Sequence, residues 1–448
     1  MSDDTIEGRI AELVISSKAP RGDVGAKIRD LMLDTSGILI ASAGTNFASL
    51  MAGSGLGRSG DVPLLSGGSA DLMWAVLLNS SLGYCLDLDA VYNPATLHIA
   101  AALFPSLLTL AVHRDSDCRE FMRAFNAGHD VAAAFGRALN PSGMYERNFH
   151  PSSVCDCVGC AVASSIFLGL DGKQLVSAMG IAMTRASGLT TVFDEEKHHA
   201  APLQIGHAAR CGVEAAILAG RGIAGPPMFG RKNIMDTFSA GQSAAKTEVL
   251  MEALEKGGSV MQTGFKRHSA CKFLQTAIDA VMELREEGAD FREVEEISLS
   301  IAPSTAPLVD NAGDLTHNAQ LVLSAALIDG HVSSEQYATI RSREDVVKLS
   351  RRVKIVADGG LEHHYPQAMP AGVKLKNRDG RTMSRFVEYA RGDPMDPLST
   401  AELMAKFERL TTRSPEAAVM QRAIDLLPKT GGAKHVMEIL CRREVGGI

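Results

Sequence analysis

Four groups of ionisable side chains along the 448-residue chain have types and spacings suited to proton transfer and anion binding. Asp87-Leu88-Asp89 lies a few residues before His98, His150 stands in Phe149-His150-Pro151, and Lys197-His198-His199 precedes Gln204. Lys266-Arg267-His268 runs on to Cys271. An imidazole titrates near neutrality and can act as acid or base, so the histidines of these groups, His98 and His150 among them, are candidates for proton transfer. Asp87 and Asp89 share a loop with His98 and can orient or polarise its ring; alternatively Asp87 is itself the base. His150 precedes a segment expected to be helical, whose N-terminus would favour an anion, with Ser152 and Ser153 as further donors. Lys266 or Arg267 can pair with a carboxylate, and the Asp-Glu-Glu-Lys-His-His run reads either as a folded-back cationic loop or as a solvated charge run. Cys271 has no histidine and acid beside it that would make it a nucleophile. Cys155, Cys157 and Cys160 resemble half of a metal site, yet they lie in an Ala-rich apolar stretch without a second cysteine pair, and buried cysteines behave as small hydrophobes. No metal site is expected.

The elements that must position these groups are mostly helices. Thr35 to Ala43, Asp71 to Tyr84, Ile99 to His113, Cys118 to Leu139, Val154 to Leu168 and Gly206 to Ala219 are apolar, Ala-rich segments broken by Gly, Pro or Asp. Their wide apolar faces predict inner helices of a large bundle. After Phe265 the pattern changes. Cys271 to Glu286 reads as one more helix, and Val294 to Ala302 alternates as a half-buried strand does. Val353 to Val356, Gly372 to Lys376 and Arg381 to Tyr389 are further strands, the last two joined through Asn377-Arg378-Asp379-Gly380, where Asp-Gly suits a type I′ turn. Ser399-Thr400 then caps a helix over 401–410, and the chain is expected to end helical. The fold class is therefore mainly α, with a helical domain over 1–265 that 396–448 rejoins and a smaller α+β domain over 266–395.

Composition limits the partners. With 46% apolar and 22% charged residues the chain is ordinary globular protein, and aromatics at 5% leave helix contacts to small side chains. A net charge of −7 gives no positive field to attract nucleic acid or an anionic membrane. The run from Ile99 to Val112 is too short to span a bilayer, the acidic start lacks a secretory apolar core, and dilute cysteines suit a reducing compartment, so a cytoplasmic location is expected.

Several stretches together resemble the MmgE/PrpD family, which includes 2-methylcitrate dehydratases, cis-aconitate decarboxylases and an iminodisuccinate epimerase. They are Leu86 to Asp89 with Pro94 to His98, Phe149 to Pro151, Leu168 to Gly172 with Ser187 to Leu189, Gly206 to Ala209 with Gly212-Val213, Lys266 to Ala280, and Gly392 to Pro394 through Lys406-Phe407. The resemblance implies a large helical domain built from both chain ends, an inserted α+β lid, a homodimer, and no metal or organic cofactor. It implies a lyase that moves a proton at the carbon next to a carboxylate, where the developing enediolate needs cations or hydrogen-bond donors. His98, His150 and Asp87 become the catalytic set, and Asp89, Lys266, Arg267, Lys197, His199, Gln204 and Cys271 the groups around a small carboxylate substrate. Two positions depart from the family pattern. A lysine and a histidine usual before the Gly-x-Ala-Ala helix are replaced by Ala201 and Gln204, and the stretch 319–324 lacks the usual tyrosine. These departures imply a smaller or less charged substrate than 2-methylcitrate or cis-aconitate. An epimerase using the same residues, and a non-catalytic scaffold that kept the fold, are the competing readings.

Overall fold

The computed structural model describes residues 5–412, apart from 58, 113–117, 231–232 and 240–242, together with Val436. The expected helical ending beyond residue 412, Cys441 and His113 lie outside the described residues. The helices that frame the site are α1 (Gly22–Ser42), α2 (Leu72–Tyr84), α3 (Ile99–Ala111), α4 (Cys118–Leu139), α5 (Pro151–Leu168), α6 (Gly172–Met183) and α7 (Ala200–Gly220).

Local chemistry sets their ends. Asp71 caps α2 by accepting the Trp74 N–H at 3.0 Å. Pro151 opens α5, where its missing N–H costs nothing, and Gly169 closes it in a left-handed conformation at φ 72°. The helix α7 begins earlier than its apolar spacing suggests, so Ala201 and Gln204 fall in its first two turns and His199 is its N-cap. α5 lies at the centre, against α4 and α7. It is long and apolar enough to cross a bilayer, but 94% of it is buried within the protein. Small residues make the close approaches possible: a Cβ on Gly206 of α7 would lie 2.2 Å from the Leu77 carbonyl oxygen of α2.

A second hydrophobic core forms from Ala270 to Leu375. It contains α8 (Gln275–Glu286), β1 (Val294–Ile301), α9 (Ala319–Asp329), β2 (Val353–Ala357), β3 (Ala371–Asn377) and β4 (Thr382–Val387). The sheet order is β2-β1-β3-β4, with β1 and β2 parallel and the other pairs antiparallel. The β3–β4 turn differs from the expected type I′. Asn377 N–H bonds to Arg381 O at 2.8 Å, enclosing three residues, and only Gly380 of the three has positive φ, at 86°. A three-residue loop closed by a left-handed glycine tolerates Arg378 and Asp379 in right-handed conformations, which type I′ would not.

The chain then returns. A capping box between Ser399 and Glu402 starts α10 (Thr400–Thr411), which packs on α1 with Phe407 against Gly37. The outgoing and returning segments are tied together where Phe265 N–H bonds to Gly392 O at 2.7 Å.

Candidate active site

Tyr84, the last residue of α2, is a buried ring with three imidazoles around it. His98 meets it edge-on at 4.5 Å, His198 lies at 5.4 Å and His150 at 6.4 Å. A fourth imidazole, His317, stacks on Phe193 at 4.3 Å, and Phe193 also touches His150 at 5.6 Å. Between them is a cavity of about 20 Å³, lined by Tyr84, His98, His150 and Phe193 from the helical core and by Cys271 and His317 from the second core. That volume holds about one water molecule.

Each proton-transfer candidate is held by its second ring nitrogen. His98 is the residue before α3, and its backbone N–H donates to Ser152 Oγ at 2.9 Å. Its Nδ1 lies 2.7 Å from Asp89 Oδ2, which leaves Nε2 available for proton transfer. His150 is the residue before α5, with Nδ1 at 2.9 Å from both Gln204 Oε1 and Ser153 Oγ. Gln204 Nε2 donates to Leu189 O at 2.9 Å, so its Oε1 must face the imidazole. His150 therefore donates from Nδ1, and its Nε2 carries the lone pair. Burial lowers His150 to about 3, with His98 adding to the effect, so the ring is neutral at physiological pH. Gly188 makes the network possible. A Cβ there would lie 2.4 Å from Ser153 Oγ, and its φ of 137° disfavours any side chain.

The charges beneath the rings come from two pairs. Lys266, fully buried, donates to the Asp87 carboxylate and, at 3.0 Å, to the Asp87 backbone oxygen; Asp89 Oδ1 is 3.7 Å away. Burial alone would raise Asp87, but Lys266 and the surrounding histidines outweigh it and hold the carboxyl below its usual range. The second pair is His198 with Asp314, Nδ1 to Oδ2 at 2.6 Å. Burial pulls His198 down, yet Asp314, with Asp87 behind it, lifts the imidazole to about 9. His198 is thus a buried imidazolium at neutral pH. Asp314 is positioned by Thr316, whose N–H and hydroxyl donate to Oδ1 at 2.9 and 3.0 Å.

Two family models match the sequence, the MmgE/PrpD N-terminal domain over residues 8–246 and the MmgE/PrpD C-terminal domain over 268–427. The chain belongs to the MmgE/PrpD family. Among proteins it resembles, a cis-aconitate decarboxylase-like protein of Aspergillus oryzae is 26% identical over 82% of this chain and 81% of that protein. The cis-aconitate decarboxylases of Mus musculus and Homo sapiens are 27% and 26% identical, each over 75% of this chain and 70% and 71% of their own lengths. At these identities it is a divergent member.

In this MmgE/PrpD protein, His98, His150, Asp87, Asp89, Lys266, Gln204 and Cys271 come together at or around the cavity. Lys197, His199 and Arg267 do not. They line an open cleft of about 1920 Å³ outside it, with Lys197 exposed, His199 against Phe47 at 5.5 Å and Arg267 paired with Asp279 at 3.5 Å. The reason is local: a left-handed turn at His198, φ 49°, points that residue inward and its neighbours outward. Ser152 Oγ accepts the His98 backbone N–H, Ser153 sits with the His150–Gln204 pair, and neither is among the residues lining the cavity. Burial raises the Cys271 thiol, which suits a protonated wall residue. The cysteines of 155–160 are buried in α5, and no group of three metal-ligating residues occurs among the described residues.

The sequence pattern missed Tyr84, Tyr145, His317 and Asp314. Tyr145 lines the cavity and bonds to Thr96 at 3.3 Å, so the pocket has tyrosines although 319–324 has none. Asp-Leu-Thr-His, at 314–317, pairs an acid with a histidine as the 87–98 segment does, and was the available signal.

Proposed function

We propose that this protein is a lyase of dehydratase or decarboxylase type, acting on a small carboxylic acid by proton transfer at the carbon next to a carboxylate. One observation carries the reading: His98 and His150, from separate parts of the helical core, converge on one cavity with the Nδ1 of each already engaged. In this reading Asp89 holds His98 and stabilises its imidazolium once Nε2 takes a proton. His150, kept neutral by burial, handles the second proton. The negative charge that develops on the substrate is met by Lys272 in the cavity wall, with Lys266 and His198 behind it. Asp87 sets the charge of Lys266 and takes no proton itself.

These cations are each opposed by an aspartate, Lys266 by Asp87, His198 by Asp314 and Lys272 by Asp393. That balance supports a substrate with fewer carboxylates than a tricarboxylate. The names of the relatives make cis-aconitate the first compound to test, with smaller unsaturated and hydroxylated diacids beside it.

Proton NMR of such a panel tests the reading. His98→Ala and His150→Ala are each expected to lower kcat about 100-fold or more, the usual size of a proton-transfer contribution. Wild-type turnover in both variants would end the proposal. An epimerase is the second reading, favoured by two imidazoles that each offer Nε2 as a base. In deuterated water an epimerase exchanges the α-proton without releasing water or carbon dioxide. The converging and mutually braced groups count against a non-catalytic scaffold.

A further inference from the structure

Away from the cavity, the seam between α5 and α7 holds a second group of reactive side chains. The helices touch backbone to backbone there: a Cβ on Gly212 would lie 2.6 Å from Ala161 N and 2.7 Å from Cys157 O. Cys157 and Cys211 face each other across this seam in a small buried cluster with Ala161, Ala182, Ala208 and Ala215. Both side chains are fully buried within that cluster. Their surroundings differ. Cys157 Sγ donates to Ala182 O at 3.4 Å, so its proton has a fixed acceptor. Cys211 Sγ lies 3.3 Å from Nε2 of His207, one turn earlier on α7 and partly exposed, and Arg185 is close by, held by Glu214 at 2.8 Å.

We propose that Cys157 and Cys211 form an oxidation site, with Cys211 reacting with peroxide and Cys157 closing a disulfide between α5 and α7. The Cys211 thiolate attacks one peroxide oxygen, the O–O bond breaks, and the departing hydroxide takes a proton and leaves as water. Cys157 sulfur then attacks the Cys211 sulfenic acid, the S–O bond breaks, and the hydroxide leaves with the Cys157 proton as a second water. Two thiols lose two electrons and one peroxide is reduced to two waters. The division of roles follows the environment. Proximity to Cys157, then His207 and Arg185, lowers the Cys211 thiol, while the same proximity and burial raise that of Cys157.

The disulfide would act on the site from below. Cys157 is one turn beyond Ser153 on α5, and Cys211 two turns beyond Gln204 on α7, so the sulfurs lie along the seam that carries the 2.9 Å Ser153–Gln204 bond. Closing an S–S bond of roughly 2.05 Å across the seam shifts one helix against the other. Gln204 and His150 then lose register. This consequence for turnover rests on the lyase reading, whereas the oxidation chemistry does not.

Peptide mapping of the native full-length protein, treated with hydrogen peroxide near pH 6, is the test. We expect a dithiothreitol-reversible peptide linking Cys157 to Cys211, formed while Cys155 and Cys160 remain reduced. Cys157→Ser should stop at one added oxygen on Cys211, and Cys211→Ser should leave Cys157 unmodified; Cys157→Ala and Cys211→Ala provide second variants should either serine disturb packing. Iodoacetamide should label Cys211 at least about 10-fold faster than the cysteines of α5. Equal labelling rates, or no bridged peptide under conditions that oxidise other thiols, would overturn the proposal. Because mapping needs no substrate, its failure leaves the lyase reading intact. Bridging that leaves turnover unchanged would overturn only the coupling to His150.

Discussion

His198 holds a charge that an ordinary imidazole largely gives up by pH 7, and it does so in a buried position next to Tyr84. Its folded value of about 9 lies above the ordinary 6.5, so its contribution to stability is complete below about 6.5 and lost as pH rises through 9. His150 and His129 run the other way. Burial holds both near 3, so their contribution is complete above about 6.5 and lost as pH falls toward 3. Calorimetric melts across pH should therefore show highest stability near neutrality with a decline on each side. Asp314→Asn removes the charge that holds His198, and we expect a loss of about 3 kcal/mol together with a flatter alkaline decline, both read from the same melts. If the alkaline limb is unchanged in this variant, His198 is not the group that titrates there.

The helix ends are the scale at which the two catalytic candidates are aimed. α5 contributes Ser152 to His98 and Ser153 to His150 from consecutive positions in its first turn, so one helix sets the relative placement of both rings. Gly188 gives that turn its space. Gly188→Ala should reduce kcat about 10-fold or more and cost about 1–3 kcal/mol, because the new Cβ strikes Ser153 and the positive φ is strained. Kinetics and melts on one preparation check both numbers. Gly206→Ala is expected to be more severe for folding, since the Leu77 backbone in its path cannot rotate away as a side chain would; soluble yield and melting temperature measure it.

Across the whole molecule, a cavity of about 20 Å³ is too small for any of the acids considered, although its walls carry the right groups. The second core supplies Cys271 and His317 to those walls and is tied to the helical core at several places, one of them a loop beside the cavity. There Asp314 N–H donates to Phe193 O at 2.9 Å, and Gly313 packs where a Cβ would lie 2.2 Å from Asp194 O. We expect a substrate to enter where 311–318 parts from 190–199, and His198, which lines the outer cleft and touches Tyr84, stands there. Hydrogen exchange should find the two segments opening together, and a bound acid should slow both. Independent exchange of the two segments would show that entry follows another route.

Much of this arrangement was legible along the chain because its causes are local. Apolar periodicity, Ser399 as a helix cap and alternation over 294–302 reflect forces that act within a few residues, and they placed most elements near their observed ends, although the helix read from Thr35 begins at Gly22 and that read from Gly206 at Ala200. Motif order gave the family and brought His98, His150, Asp87 and Lys266 into consideration. Which residue of 197–199 turns inward was not legible, because it depends on one left-handed backbone angle stabilised by a distant acid. His198 and Asp314 are 116 residues apart, and Lys266 and Asp87 are 179 apart. Side-chain types fixed what each group is able to do, whereas charge state, tautomer and direction depend on burial and on contacts that close packing of separate helices creates, and those only the tertiary structure decided.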